Sequence, residues 1–148
     1  MKIIASNNKA NYDFSISNKI EAGIVLTGPE VKSLRSNTGS IRGSYILEQG
    51  GELWLSNLFI KKYQNSADNN YDPNRNRKLL VTKKELNKIS GSIKQRGLSL
   101  IPLSLYFSNK GFVKLSCGIG RGKKKTDKRE SIKERDWNIN KERLLKTN

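Results

Sequence analysis

Histidine is absent from this 148-residue chain, and cysteine occurs once, at Cys117. The first absence removes imidazole general-base catalysis and any histidine-bearing metal site. The second removes an intramolecular disulfide and any zinc site built from several cysteines, and it suits a reducing compartment. Acidic residues are scarce as well: 13 Asp+Glu stand against 29 Lys+Arg, a formal net charge of +16. Apolar residues make up 34% of the chain, so the core must be small and part of the sequence should lie outside it. No apolar run approaches the roughly 20 residues needed to span a bilayer, and the first 20 residues lack the apolar stretch of a signal peptide. What remains is one domain by size, expected in the cytoplasm, whose charge calls for a polyanion as partner. An anionic membrane would need a basic amphipathic helix with a broad apolar face, and the only candidate segment, at the C-terminus, has a narrow one.

The charge divides unevenly. Residues 1–120 hold 18 basic and 8 acidic side chains, and residues 121–148 hold 11 and 5. In the second segment only Ile132, Trp137, Ile139, Leu144 and Leu145 are aliphatic or aromatic, too little apolar surface to offset the entropy of ordering it alone. The chain therefore reads as a folded body, 1–120, and a basic C-terminal tail, 121–148, disordered when free. Gly118, Gly120 and Gly122 mark the exit from the body.

The body reads as mainly β with short inserted helices. Tyr12, Phe14 and Ile16 alternate with polar residues, as in a strand with one buried face, and Ile20 to Leu26 suits a second strand. Thr27-Gly28-Pro29-Glu30 is a helix start, with Thr27 as cap and Glu30 at the third position. Val31 and Leu34 form its apolar stripe, with Lys32 and Arg35 turned away. Ser44 to Leu47 and Leu53 to Ile60 flank the turn Gln49-Gly50-Gly51-Glu52, with a register break near Ser56-Asn57. Residues 64–77, polar and holding five Asn, read as an exposed loop. Thr82-Lys83-Lys84-Glu85 caps a second helix that carries Leu86, Ile89 and Ile93 on one face and stops at Gly97. Leu98 to Phe107 and Phe112 to Ile119 read as strands joined by Ser108-Asn109-Lys110-Gly111, with Pro102 at an edge or a bulge. Six or so strands with helices between them suit an oligonucleotide-binding-type (OB-like) closed β-barrel; a sandwich would give similar periodicity.

Several short motifs then fall in order along the chain: Glu21-Ala22-Gly23; Glu30-Val31-Lys32-Ser33-Leu34-Arg35; Asp72-Pro73 with Arg75, Arg77, Lys78, Leu79 and Leu80; and Gly122-Lys123-Lys124 with Asp127-Lys128-Arg129. Together they resemble the SsrA-binding protein family over essentially the whole chain. The resemblance implies a non-enzymatic RNA-binding protein without a cofactor, a monomer that grips the tRNA-like part of transfer-messenger RNA and delivers it to stalled ribosomes. It implies an OB-like barrel on the RNA elbow. It also implies a tail that enters the decoding centre and the empty mRNA channel, against small-subunit rRNA, alongside an elongation factor carrying the aminoacylated RNA.

The resemblance assigns RNA-binding roles residue by residue. Glu21 would accept a hydrogen bond from a base or sugar hydroxyl; the competing reading is a structural ion pair. Phe14 stands where the family has an aromatic and would stack on a base or pack in the core. Lys32 and Arg35 belong to the matched helix motif. Leu80 and Thr82 sit where the family places RNA contacts, although Thr82 replaces a more typical Asn and its capping role is the alternative. Arg75, Arg77 and Lys78, which follow the polar loop, read as phosphate contacts, as do Lys123, Lys124 and Lys125 after Gly122. Asp127, Lys128 and Arg129 resemble the decoding-centre motif, and Trp137 with Leu144 and Leu145 would meet the mRNA channel. Cys117 reads as a small buried side chain. A ribosomal protein or a generic RNA chaperone would share the charge and the barrel but not the ordered motifs. A nuclease would need clustered carboxylates or a nucleotide loop, and the Gly118-x-Gly-x-Gly122 spacing lacks the required pattern.

Overall fold

The computed structural model describes residues 2–123. The strands are β1 (Lys2–Ser6), β2 (Phe14–Ile24), β3 (Gly39–Ser40), β4 (Tyr45–Gln49), β5 (Glu52–Ser56), β6 (Phe59–Ile60), β7 (Arg77–Leu80), β8 (Ser99–Phe107) and β9 (Val113–Gly122). The helices are α1 (Ala10–Asp13), α2 (Gly28–Arg35) and α3 (Lys83–Arg96). Seven strands form one antiparallel sheet in the order β1-β8-β9-β2-β7-β5-β4, and β3 pairs with β6 beside it.

Local grammar accounts for most of these elements. The two glycines of the β4–β5 hairpin carry φ of 61° and 76°, the left-handed conformation that a tight two-residue turn demands. Thr27 and Glu30 complete a reciprocal capping box at α2. At α3 the Thr82 side chain accepts from the Glu85 N–H, and Gly97 closes the helix in the left-handed conformation. The register break after Ser56 falls at Asn57, itself at φ 64°, and lets Phe59–Ile60 leave the large sheet to pair with β3.

The structure corrects the sequence reading in four places. The two strands expected at 12–16 and 20–26 are one strand, β2, carrying a bulge between Ile16 and Asn18; Tyr12 lies in α1, and Val25 and Leu26 follow the strand. Strand β9 runs through Gly118 and Gly120 to Gly122, so these glycines lie inside the sheet and not at an exit. Their reason is space: a Cβ on Gly120 would stand 2.7 Å from the Ser15 carbonyl oxygen, and one on Gly118 would stand 2.8 Å from Ile16 Cγ2. Strands β1, β3 and β7 and helix α1 are additions; all are short, and none shows the periodicity that would announce it.

The fourth correction concerns closure. The sheet is mainly β with short helices, as expected, but among the described residues it is not a closed barrel. It curls until β4 lies against β8, yet no ladder joins them. Strand β1 pairs with Ser104 to Phe107 and so takes up that part of the edge of β8. The concave side holds the core, with Ala22, Leu34, Leu55, Leu58, Ile60, Leu105, Leu115 and Cys117 all at 2% exposure or less. Helix α3 covers it with Ile89 fully buried and Leu86 and Ile93 partly so.

Candidate nucleic-acid interface

The regularity of β9 sorts the other side chains by face. Its odd residues from Val113 to Ile119 are buried in the core, so its even residues define the outer surface of the sheet. Phe14, Ile16, Glu21 and Gly23 all pair with even residues: Gly122, Gly120, Ser116 and Lys114. The bulge in β2 makes this possible, because one extra residue resets the alternation. Without it, Phe14 and Glu21, an odd number of positions apart, would point to opposite faces. Leu80 pairs with Gly23 and joins the same surface, with Lys78 two residues before it.

Glu21 is exposed on this face and lies near Tyr106. The Tyr106 hydroxyl is pushed up to about 12, first by burial and then by hydrogen bonding to, and the charge of, Glu21. Glu21 also borders an open cleft of about 410 Å³ shared with Lys19, Glu85 and Lys88, a mixture of acceptors and cations suited to sugar hydroxyls, base amines and phosphates. Leu80 is 51% exposed, an unusual position for a leucine in a paired strand. Thr82 is exposed with its hydroxyl committed to the α3 cap at 3.2 Å, so the capping role is the one seen.

At the far end of β2, about 20 Å from Glu21 by strand rise, Phe14 is half-buried. It borders an open cleft of about 590 Å³ lined also by Asn7, Lys9, Asp13, Arg42 and Ser44. The described chain ends beside this cleft, where the Lys123 N–H donates to the Asp13 carbonyl at 2.9 Å and its ammonium to the Asn11 carbonyl at 2.6 Å. Gly122 is the last residue of β9 and exposed. On α2, Lys32 and Arg35 are exposed as expected; the Lys32 ammonium sits 5.7 Å from the centroid of the Tyr63 ring.

The cluster Arg75, Arg77 and Lys78 is where the structure departs furthest from the sequence reading. Each has an acid. Arg77 is completely buried and forms five hydrogen bonds, to Glu30 Oε2 at 2.7 Å, the Tyr71 hydroxyl oxygen at 3.1 Å, and the carbonyls of Leu58, Arg75 and Pro73. That matches the donor capacity of a guanidinium, and no surface is left for a phosphate. Glu30, 1% exposed, also takes a charge-assisted bond from Arg75. Burial by itself would raise the Glu30 pKa, but the bonds from Arg75, the Thr27 backbone and Arg77, with the Arg77 charge, outweigh it and hold the carboxyl below 4.5. Lys78 reaches Glu52 at 3.0 Å across the surface. The sequence hid the buried pair because Glu30 already had an explanation as the third residue of a capping box. Tyr71, whose hydroxyl donates to the Ile60 carbonyl at 2.8 Å, carries no signal in the sequence beyond its place in a polar loop.

Phe112 and Lys114 were also missed. Among the described residues Phe112 is the most exposed of the large apolar side chains, at 64%, and borders an apolar cleft with Leu80 and Lys114; the only hint in the sequence is a glycine turn before it. Cys117 is buried as expected, and burial pushes its thiol up to about 12, well away from reactivity. Among the described residues no cluster of His, Cys, Asp or Glu could hold a metal ion, and no helix is long and apolar enough to cross a membrane. The roles expected of Lys124, Lys125, Asp127, Lys128, Arg129, Trp137, Leu144 and Leu145 concern residues outside the described ones.

Comparison with known proteins adds an independent line. Residues 4–147 match the family model described as SmpB protein. The chain is 48% identical over 145 residues to the SsrA-binding protein of Rhizobium meliloti (strain 1021), covering 98% of this chain and 91% of the relative. It is 49% identical over 148 residues to the SsrA-binding protein of Ehrlichia canis (strain Jake), covering all of both chains. A solved chain from "tmRNA-SmpB: a journey to the center of the bacterial ribosome" superposes with a TM-score of 0.65 at 42% identity, covering 86% of this chain and 92% of that one.

Proposed function

The chain belongs to the SmpB family, and from that premise we propose that it binds transfer-messenger RNA and brings it to stalled ribosomes for trans-translation. The observation that carries this reading is the family match over nearly the whole chain, joined to a structural neighbour associated with transfer-messenger RNA and the ribosome. The physical features agree with the task. A +16 chain supplies the counterion-releasing cations that dominate RNA affinity, and the outer sheet face adds polar and apolar groups able to meet bases and ribose.

In this reading the body, 1–120, holds the RNA through Glu21, Leu80 and the outer-face cations, with Lys32, Arg35 and Lys78 positioning phosphates and Phe14 at the far end, where Lys123 at the start of the tail adds a further cation. Thr82 contributes mainly by fixing α3. Arg77 and Glu30 act behind the surface, tying the 61–76 loop to α2. The tail, 121–148, meets the decoding centre through Asp127, Lys128 and Arg129, and the mRNA channel through Trp137, Leu144 and Leu145, with Lys124 and Lys125 at its start. The protein works as a monomer in the cytoplasm, without a catalytic step, beside an elongation factor that carries the aminoacylated RNA.

The test is to recover the protein from its host under native conditions and sequence the RNA bound to it. Transfer-messenger RNA should dominate. A broad mixture of rRNA or mRNA would overturn the assignment in favour of a ribosomal protein or RNA chaperone.

A further inference from the structure

We propose that the cleft between the end of β7 and the tip of the β8–β9 hairpin receives one unstacked base of transfer-messenger RNA, with Phe112 as its stacking platform. The proposal rests on the function proposed above and identifies one contact within it. Phe112 is 64% exposed and Leu80 is 51% exposed, and the two border the same cleft of about 350 Å³, floored by Gly23, Leu26 and Val31, with Lys114 at its side.

The backbone that carries Phe112 is tied into the turn. Its N–H donates to Ser108 Oγ at 3.2 Å, and its carbonyl accepts from the Ser108 N–H at 2.8 Å. These bonds fix the backbone at the hairpin tip, so the ring projects from an ordered turn and less entropy is lost when a base arrives. Gly23 keeps the floor open: a Cβ there would press to 3.3 Å from Leu80 Cβ, so any larger residue would push against the leucine wall.

The chemistry selects the occupant. Isolated apolar side chains on a surface need no explanation, but here an aromatic face, an aliphatic wall and a cation converge with no acid among the described lining residues. An aromatic ring and a neighbouring lysine are the two halves of single-stranded nucleic-acid contact, one for the base and one for its phosphate. The cleft takes in Leu80, Gly23 and Lys114, which share the sheet face of Glu21, so one RNA can meet Phe112, Leu80 and Glu21. The +16 charge of the chain favours such a polyanion over an apolar peptide.

The experiment measures the affinity of the full-length chain for a labelled transfer-messenger RNA transcript, wild type first, then Phe112→Ala, Phe112→Leu, Phe112→Trp and Lys114→Ala. Phe112 is exposed, so melting temperatures should stay at the wild-type value and exclude misfolding. The alanine and leucine variants should bind roughly 5- to 150-fold more weakly, the range for losing one stacked base, while the tryptophan variant keeps wild-type affinity. Lys114→Ala should reduce the salt slope of binding by about one. If leucine serves as well as phenylalanine, stacking is refuted. If Phe112→Ala keeps its affinity for the transcript, the proposal falls and the function stands; loss of ribosome association or of self-association in that variant would then identify the true occupant. If the wild type itself does not bind the transcript, the function proposed above falls first.

Discussion

Glu30 shows how much one buried carboxylate can organise. It receives Arg75, Arg77 and the Thr27 N–H, and Tyr71 stands 3.2 Å from its second oxygen, so a helix start, a long loop and a strand start meet at one side chain. Glu30→Ala leaves the Arg77 charge buried without its partner and should destabilise the body by about 3–5 kcal/mol, read as a lowered urea midpoint. The pH dependence follows from sign. Because the native carboxyl titrates below its unfolded value of about 4.5, its contribution is complete above that pH and is lost as pH falls through the lower native value. Glu30→Gln should therefore flatten the acid limb of a thermal-stability profile and leave its slope near neutrality unchanged; an unaltered acid limb would contradict the assignment. Glu21 is the opposite case, an exposed acid that interacts with Tyr106 at the surface of the sheet. Glu21→Lys should weaken transfer-messenger RNA binding with the melting temperature intact, and a collapsed melting temperature would instead support a structural ion pair.

At the level of elements, β9 is the reference against which the others are set. Its regular course meets two bulges, one in β2 and one in β8 at Pro102 to Ser104, and the first places Phe14 and Glu21 on one surface. The strand can approach β2 this closely only because Gly118 and Gly120 lack side chains. Gly120→Ala should cost about 1–3 kcal/mol, as overpacking does, since the obstacle is the Ser15 backbone and not a side chain that can turn aside. Equilibrium denaturation checks this, and an unchanged midpoint would show that β2 gives way. Pro102 was legible as an edge or bulge residue and lies at the bulge, in a strand flanked on both sides. The helices were more legible than the strands, because Thr27-Glu30, Thr82-Glu85 and Gly97 are local signals that tertiary contacts had no reason to override. Strand β7 was not legible, because its four residues follow a loop and its buried arginine looks polar in sequence.

For the whole molecule, charge is the organising quantity: the body carries a net +10 and the tail a net +6 from its 11 basic and 5 acidic residues, the body being 18 basic less 8 acidic. Two surfaces imply two separable losses. A chain ending at Lys125 should hold transfer-messenger RNA with nearly full affinity and fail to support peptide tagging on stalled ribosomes. Loss of RNA affinity in that truncation would place the primary contact in the tail and end the proposed division of labour.

The sequence by itself determined the class of partner, the family and the capped helices, because net charge, motif order and hydrogen-bonding turns are properties of the chain read locally. Only the tertiary structure decided which cations reach solvent. Arg77 and Lys78 are neighbours in a basic run, yet one is sealed against Glu30, 47 positions away, and the other lies at the surface. A buried charge must find its counter-charge wherever the fold brings one, and linear distance carries no record of that meeting. The open sheet was decided in the same way: β1 pairs along part of β8 and no ladder joins β4 to β8, and strand pairing between distant segments leaves no local mark in the sequence.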